Sequence, residues 1–493
     1  MTTMNKQEHE LRRDSVPFIG VLAQSVAHIG PSAAIALFVG FVVGVTGSTT
    51  WLTFAFTTVI MLFVAICISH FTRRLSNTGD LYGFATKGGG SGLGLVTAWS
   101  QLLFGLVTAA GGSIIFGLYL ADLLAAAKVP NNRGTVLLWC ILLIVASTYL
   151  TYRDVRLSAR FMLYVEVLSL AAIFLLLVIT LFRHHGSIID SHQFTFTGFS
   201  FHKLMLGMVL IVFAFSGFES CSIFGQEAKD PLHTIPRSLV SSVAIVGGIF
   251  VIAAYIMVWG FEGTKYNITT SSNPLADLSI INGIGPFQYV IDAGVAISIL
   301  SVAVAVTNST SRLMFTLSRE RLFPAAFTRL SKRHRTPVVG IMSMFALNVV
   351  VILLLTLANR ANYTWYGFVA SFAGYGVILA YIFICVGALG YLRKIGKLNP
   401  VNVLISLIAV AALAYVLYAS FVPVQVPPLN YLLYVFCGSV IAVGIAWSVL
   451  VARHSPIVHR VGTSVDEDTE DAVLEEEVAE LGQAPTGANS QPS

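Results

Sequence analysis

Four titratable residues, His28, Glu166, Glu219 and Asp292, fall inside long apolar runs. An ionised side chain at the centre of a bilayer costs roughly 2.5–3.5 kcal/mol on insertion scales. It persists where it faces a protein-lined or wet cavity, and there it serves as a gate, an ion ligand or a proton carrier. Glu219 ends the run Phe213-Ala-Phe-Ser-Gly-Phe-Glu, two residues past Gly217. His28 opens the run His28-Ile-Gly-Pro-Ser-Ala-Ala34. Each therefore adjoins a helix breaker. The competing structural readings are a carboxylate that ties down freed amides and a hydrogen-bonded core histidine. On the structural reading Glu166 pairs with Arg160 or Arg153. Asp292, near the outer end of its segment, is expected to be wet.

The two breakers are placed alike. Pro31 has no amide to donate and disfavours helix at the residue before it; Gly30 is itself a weak helix former. A break over Ile29–Ser32 follows, roughly 18 Å along a helix that begins at Phe18, near the middle of a bilayer. Ser216-Gly217 lies at a similar depth from Leu204. Irregular backbone at that depth is tolerated where it lines a cavity.

The elements that carry these residues are membrane helices. Of 493 residues, 56% are hydrophobic and 11% charged, against about 25% charged in soluble domains. The apolar residues fall in twelve runs, near 18–42, 51–70, 94–123, 134–151, 161–182, 204–225, 239–260, 286–316, 337–358, 365–389, 400–421 and 429–452. Most are about 20 residues long, enough to span a bilayer. The chain therefore reads as an all-α polytopic membrane protein. With the N-terminus cytoplasmic, 23 of the 29 Lys and Arg lie on the inner side and 6 on the outer, so both termini are placed inside. Segments 1 and 6 then run in opposite directions, five helices apart. That is the pattern of an inverted repeat of five plus five helices, about 18–182 and 204–389, with two appended helices over about 400–452.

The flanks are polar. Residues 1–17 read as a cytoplasmic segment rather than a cleavable signal peptide. Residues 453–493, rich in Asp and Glu from Val465 to Gly482, read as a disordered acidic tail, with docking to a cytoplasmic partner as the alternative. The five cysteines lie in apolar runs without metal-site spacing, which predicts buried small hydrophobes and no disulfide-linked partner. The run Gly88-Gly-Gly-Ser-Gly-Leu-Gly94 lacks the Lys-Ser/Thr of a phosphate loop and reads as a flexible inner loop. No metal site, bound cofactor or nucleic-acid patch is indicated; a coupling ion, H+ or Na+, is the one inorganic partner considered.

At segment 6 the chain resembles the amino acid–polyamine–organocation permease superfamily. The residues that carry the resemblance are Phe213-x-Phe-x-Gly-Phe-Glu219, then Glu227-x-Lys229-x-Pro231 and Ile235-Pro236-Arg237. Ser76-Asn-Thr-Gly79-Asp-Leu-Tyr82, Gly94 to Trp99, and Arg312 through Arg319-Glu-Arg-Leu-Phe-Pro324 agree. The resemblance covers roughly residues 18–452 and implies the LeuT-like five-plus-five fold, with substrate held between helices 1, 3, 6, 8 and 10. It also implies a mode of recognition. A substrate carboxylate meets the amides of Ser32 and Ala33 and the Ser32 hydroxyl, at the positive end of the second half of helix 1. A substrate ammonium meets carbonyls freed at the breaks at Ile29, Phe213 and Ser216, with Gly30 and Gly217 supplying the breaks. Phe213 and Phe215 offer aromatic faces, worth roughly 0.5–2 kcal/mol to a cation. The chain departs from the pattern at Pro31-Ser32-Ala33, where many relatives carry a Gly-Ser-Gly-like run, and in lacking a Lys within 161–182.

These features predict a secondary active transporter, not an enzyme, that moves an amino acid or related amine across the plasma membrane by alternating access, as a proton-coupled symporter or an exchanger. Glu219, Glu166 and His28 are the coupling or gating candidates, in that order. Sodium coupling would draw on Ser298, Ser301 and Thr307. The alternatives are a polyamine or organocation importer of the same fold and a non-transporting membrane sensor.

Overall fold

The computed structural model describes residues 16–75, 81–125, 128–153, 155–183, 189–196, 198–225, 228–422, 429–453 and 460–462. The acidic stretch from Val465 to Gly482 and the loop motif Ser76–Asp80 lie outside the described residues, as do Glu227 and the first fifteen residues.

Among the described residues the structure is helical, with no strand beyond two isolated bridges. Segment 1 is two helices, α1 (Phe18–Ile29) and α2 (Pro31–Thr46), joined only by Gly30. There follow α3 (Thr50–Thr72), α4 (Leu81–Gly89), α5 (Ser91–Ala125), α6 (Arg133–Arg153) and α7 (Val155–Arg183). Segment 6 is α8 (Phe201–Phe215) and, past Ser216-Gly217, a 3-10 helix over Phe218–Phe224. The chain continues through α9 (Pro231–Phe261), α10 (Pro274–Ile281), α11 (Gln288–Arg319) and α12 (Val338–Leu357). It ends with α13 (Tyr363–Lys394), α14 (Pro400–Phe421) and α15 (Leu429–Ala452).

Local chemistry sets these boundaries. Pro31, Pro231, Pro274 and Pro400 stand at or next to the first helical residue, where the missing amide costs nothing and the fixed φ suits a helix. The side chains of Asn273, Asn362 and Asn399 accept the amides of Ala276, Trp365 and Asn402 at the starts of α10, α13 and α14, satisfying donors that the helix itself leaves open.

Eleven helical stretches are long and apolar enough to cross a membrane among the described residues, the first of them holding two of the twelve apolar runs. The first, Phe18–Thr72, runs 55 residues through α1, α2, a 3-10 turn and α3 without a non-helical gap long enough to divide it. The Gly88–Gly94 run is not a loop. Gly88 and Gly89 close α4, Ser91 opens α5, and only Gly90, at φ 89°, turns the chain. The glycine serves close approach: a Cβ on Gly88 would fall 2.2 Å from the Gly387 carbonyl oxygen of α13.

The long helices surround the broken pair. α2 and α8 sit deep in the apolar core, with Val39, Val42, Met208, Ile211, Val212 and Phe215 fully or nearly fully buried. The peripheral α15 exposes Tyr431, Val435, Ile441 and Ile445, as a lipid-facing helix must.

Candidate functional site

The breaks meet. Gly30, at φ 58°, is both the end of α1 and the start of α2. Gly217, at φ 100°, lets the chain leave α8 and enter the 3-10 turn. A Cβ on Gly217 would lie 2.4 Å from Cγ of the His28 ring, so glycine is required there by conformation and by contact. The Ser25 hydroxyl donates to the Phe218 carbonyl at 2.6 Å and ties the two broken segments together.

A cavity of about 60 Å³ opens beside the breaks, between α1, α2, α5, α8, α11 and α13. Its walls are mostly apolar: Leu37, Phe38, Val107, Ile115, Ile299 and Val302 among others. Phe213 meets Phe38 and Phe104 edge to face at 5.6 and 6.1 Å, and Phe38 stacks on Tyr366 at 6.2 Å. Polar side chains are few: His28, Thr108, Ser216 and Tyr366. Thr108 Oγ1 and both ring nitrogens of His28 are buried and find no hydrogen-bond partner among the described residues.

The predicted residues divide. His28, Ile29, Gly30, Ala33, Phe213 and Ser216 line the cavity. Phe215 does not: it is fully buried against Phe250, ring centroids 5.1 Å apart, and offers the cavity no face. The Ser216 hydroxyl donates back to the Phe213 carbonyl. Ser32 faces away from the cavity, and its amide donates to Glu166 Oε1 at 2.7 Å. The Ala33 amide donates to Ser298 Oγ at 3.3 Å. Glu166 is 1% exposed and accepts at the start of α2; the side chain of Arg160 lies outside the described residues. Gly217 donates its amide to Glu219 Oε2 at 3.0 Å, and the Tyr381 hydroxyl on α13 donates to the same oxygen at 2.8 Å. Asp292 is buried, not wet, because Asn273 of α10 covers it and donates to its Oδ1 at 2.7 Å. Ser301 and Thr307 donate to carbonyls of their own helix. No cluster of three or more His, Cys, Asp or Glu suited to a metal exists among the described residues.

Sequence reasoning missed Phe38, Thr108, Tyr366 and Tyr381. They lie on α2, α5 and α13, whose rotation about their own axes no local motif reports. It also missed a network at the far ends of α4 and α11. The Tyr82 hydroxyl bonds Glu320, and the Gly462 amide donates to both, at 3.1 and 3.0 Å. Burial and the adjacent Glu320 carboxylate hold the Tyr82 phenol well above its ordinary range.

Two discontinuous helices meeting at a central cavity are the architecture of a membrane transporter. The family model described as Amino acid permease matches residues 18–446. The chain belongs to that family. It is 24% identical over 369 residues to the low-affinity putrescine importer PlaP of Escherichia coli (strain K12), covering 72% of this chain and 79% of that one. It is 23% identical over 348 residues to the branched-chain amino acid permease BcaP of Bacillus subtilis (strain 168), covering 68% and 73%. The crystal structure of MhsT in complex with L-phenylalanine superposes with a TM-score of 0.58 at 15% identity, over 84% of this chain and all of that one. The fold is therefore LeuT-like, and this permease is a multi-pass membrane transporter rather than an enzyme.

Proposed function

We propose that this permease carries a compact amine or amino acid across the plasma membrane by alternating access, driven by a proton or sodium gradient or by exchange, with both termini cytoplasmic. The observation that carries the reading is the meeting of both helix breaks at one small, largely apolar cavity. Relatives named for putrescine and for branched-chain amino acids bracket the same ligand chemistry, an ammonium on a short carbon body. The backbone at Ile29, Gly30, Ala33, Phe213 and Ser216 forms the ligand site, and Ser32, Gly217 and Phe215 shape it from behind. Glu219, bridging the second break to Tyr381, is the first coupling or gating residue, ahead of Glu166 and His28.

Uptake into liposomes tests this. Reconstituted protein is expected to accumulate a labelled amine or amino acid under an imposed proton or sodium gradient, or against a preloaded substrate. Intact ligand binding without uptake across a broad panel would replace the transporter with a sensor.

A further inference from the structure

The two breaks create four helix ends, and the chain treats the two signs differently. A helix N-terminus presents unbonded amides and partial positive charge; a C-terminus presents carbonyls and partial negative charge. α1 and α8 both end at the cavity, with Ile29, Phe213, Ala214 and Ser216 in its wall. The carbonyls of Ala27, His28 and Ile29 receive no amide from four residues on. Residue 31 is proline, and the amides of Ser32 and Ala33 are turned to Glu166 and Ser298. The Ala34 amide is used by the Gly30 carbonyl. At the start of α2, then, Pro31 has no amide and the next three amides are engaged within the protein.

The second break shares one feature of this arrangement. The Gly217 amide, which leads into the 3-10 turn, is held by Glu219 at 3.0 Å. A glutamate of the chain thus takes an amide at each break, Glu166 of α7 that of Ser32 and Glu219 that of Gly217. The Phe213 carbonyl of α8 already accepts from Ser216, so the carbonyl end left without these amides is that of α1, with His28 and Ile29 in the cavity wall. No Asp, Glu, Lys or Arg is among the cavity-lining residues. Among the described residues, buried polar side-chain atoms without a hydrogen-bond partner in this wall belong to His28 and Thr108, each under one-tenth exposed.

We infer that the transported ligand is a compact amine without an α-carboxylate. Its ammonium sits against the open carbonyls of α1, its hydrocarbon body lies among Leu37, Phe38, Val107 and Ile115, and Thr108 and His28 give the orienting polar contacts. Glu166 and Ser298 are the specificity residues. By occupying the Ser32 and Ala33 amides, they exclude the carboxylate that an amino acid would need to place there. A carboxylate brought into this cavity would lose its water and gain no amide donor in return, which is costly. The inference rests on the transporter reading and narrows its substrate.

Matched pairs that differ only in the carboxylate provide the test: isobutylamine against valine, isoamylamine against leucine, and putrescine against ornithine. Binding to the full-length protein in detergent is measured by calorimetry, and uptake of the same compounds is measured in liposomes. At least one amine is expected to bind, and at least about tenfold more tightly than its amino acid. Glu166→Ala, which frees the Ser32 amide, is expected to shrink that ratio by raising amino acid affinity. Glu166→Gln, which keeps an acceptor oxygen at the same place, is expected to preserve it. Equal or tighter binding of the amino acids to the wild-type protein overturns the inference and leaves the transporter reading standing. An unchanged ratio in a folded Glu166→Ala protein also overturns it. Absence of binding and uptake for every compound removes both.

Discussion

Gly217 meets two demands with one missing methyl group. Its φ of 100° lies where other residues are strained, and a Cβ would strike His28. Gly217→Ala is expected to destabilise the protein by about 1–3 kcal/mol, read as a lowered melting temperature in detergent, with ligand binding lost along with it. Glu219 accepts from Gly217 and Tyr381 and so joins the second break to α13. Glu219→Gln is expected to uncouple or abolish gradient-driven uptake to a greater degree than Glu166→Gln does; equal effects in the liposome assay would reverse the ranking. Tyr381→Phe removes a donor to Glu219 at a net cost of about 1 kcal/mol. It should leave a folded protein with slower uptake. The place of Glu219 beside the break at Gly217 was legible from their adjacency in the sequence. Tyr381 was not, because it lies 162 residues away and only the packing of α13 brings it to the carboxylate.

Among the elements, α10 shows how a short helix stabilises a long one. Asn273 caps α10 through Oδ1 and donates through Nδ2 to Asp292 of α11. Asn273→Ala removes both contacts. The expected loss is about 1–3 kcal/mol, from the cap and the uncompensated buried carboxylate together. Asn273→Ser, which retains a capping oxygen, should restore part of it, and thermal unfolding of the two variants side by side is the check. The broken helices themselves were readable from sequence, since proline and glycine act on the backbone wherever they occur. The Gly88–Gly94 run read as a loop for the same reason, yet it is helical on both sides of Gly90. Tertiary packing decided otherwise: Gly88 lies so close to Gly387 that the smallest side chain is the one that fits.

At the scale of the whole molecule, the cavity is separated from the ends of α4 and α11, where Tyr82, Glu320 and the Gly462 amide form a buried network. Tyr82→Phe removes the hydroxyl from that network and should loosen this side by about 1 kcal/mol, a several-fold change in population. Thiol labelling of Thr108→Cys in a background lacking the native cysteines is expected to quicken several-fold in the presence of Tyr82→Phe. An unchanged rate would show that the network does not hold this face shut.

The sequence alone determined the membrane class, the family, the paired breaks and the residues flanking them, because apolar run length and the backbone chemistry of proline and glycine are local properties. It also singled out Glu166 and Glu219 by placing carboxylates where hydrocarbon would reject them. The tertiary structure decided what those carboxylates face. Glu166 read as a coupling candidate or as the partner of Arg160 or Arg153, and its carboxylate accepts the amide of Ser32, 134 residues away. Phe215 read as an aromatic wall and proved to be core. Both outcomes depend on how each helix is rotated about its axis, and rotation is fixed by the packing of all the helices together rather than by any one of them.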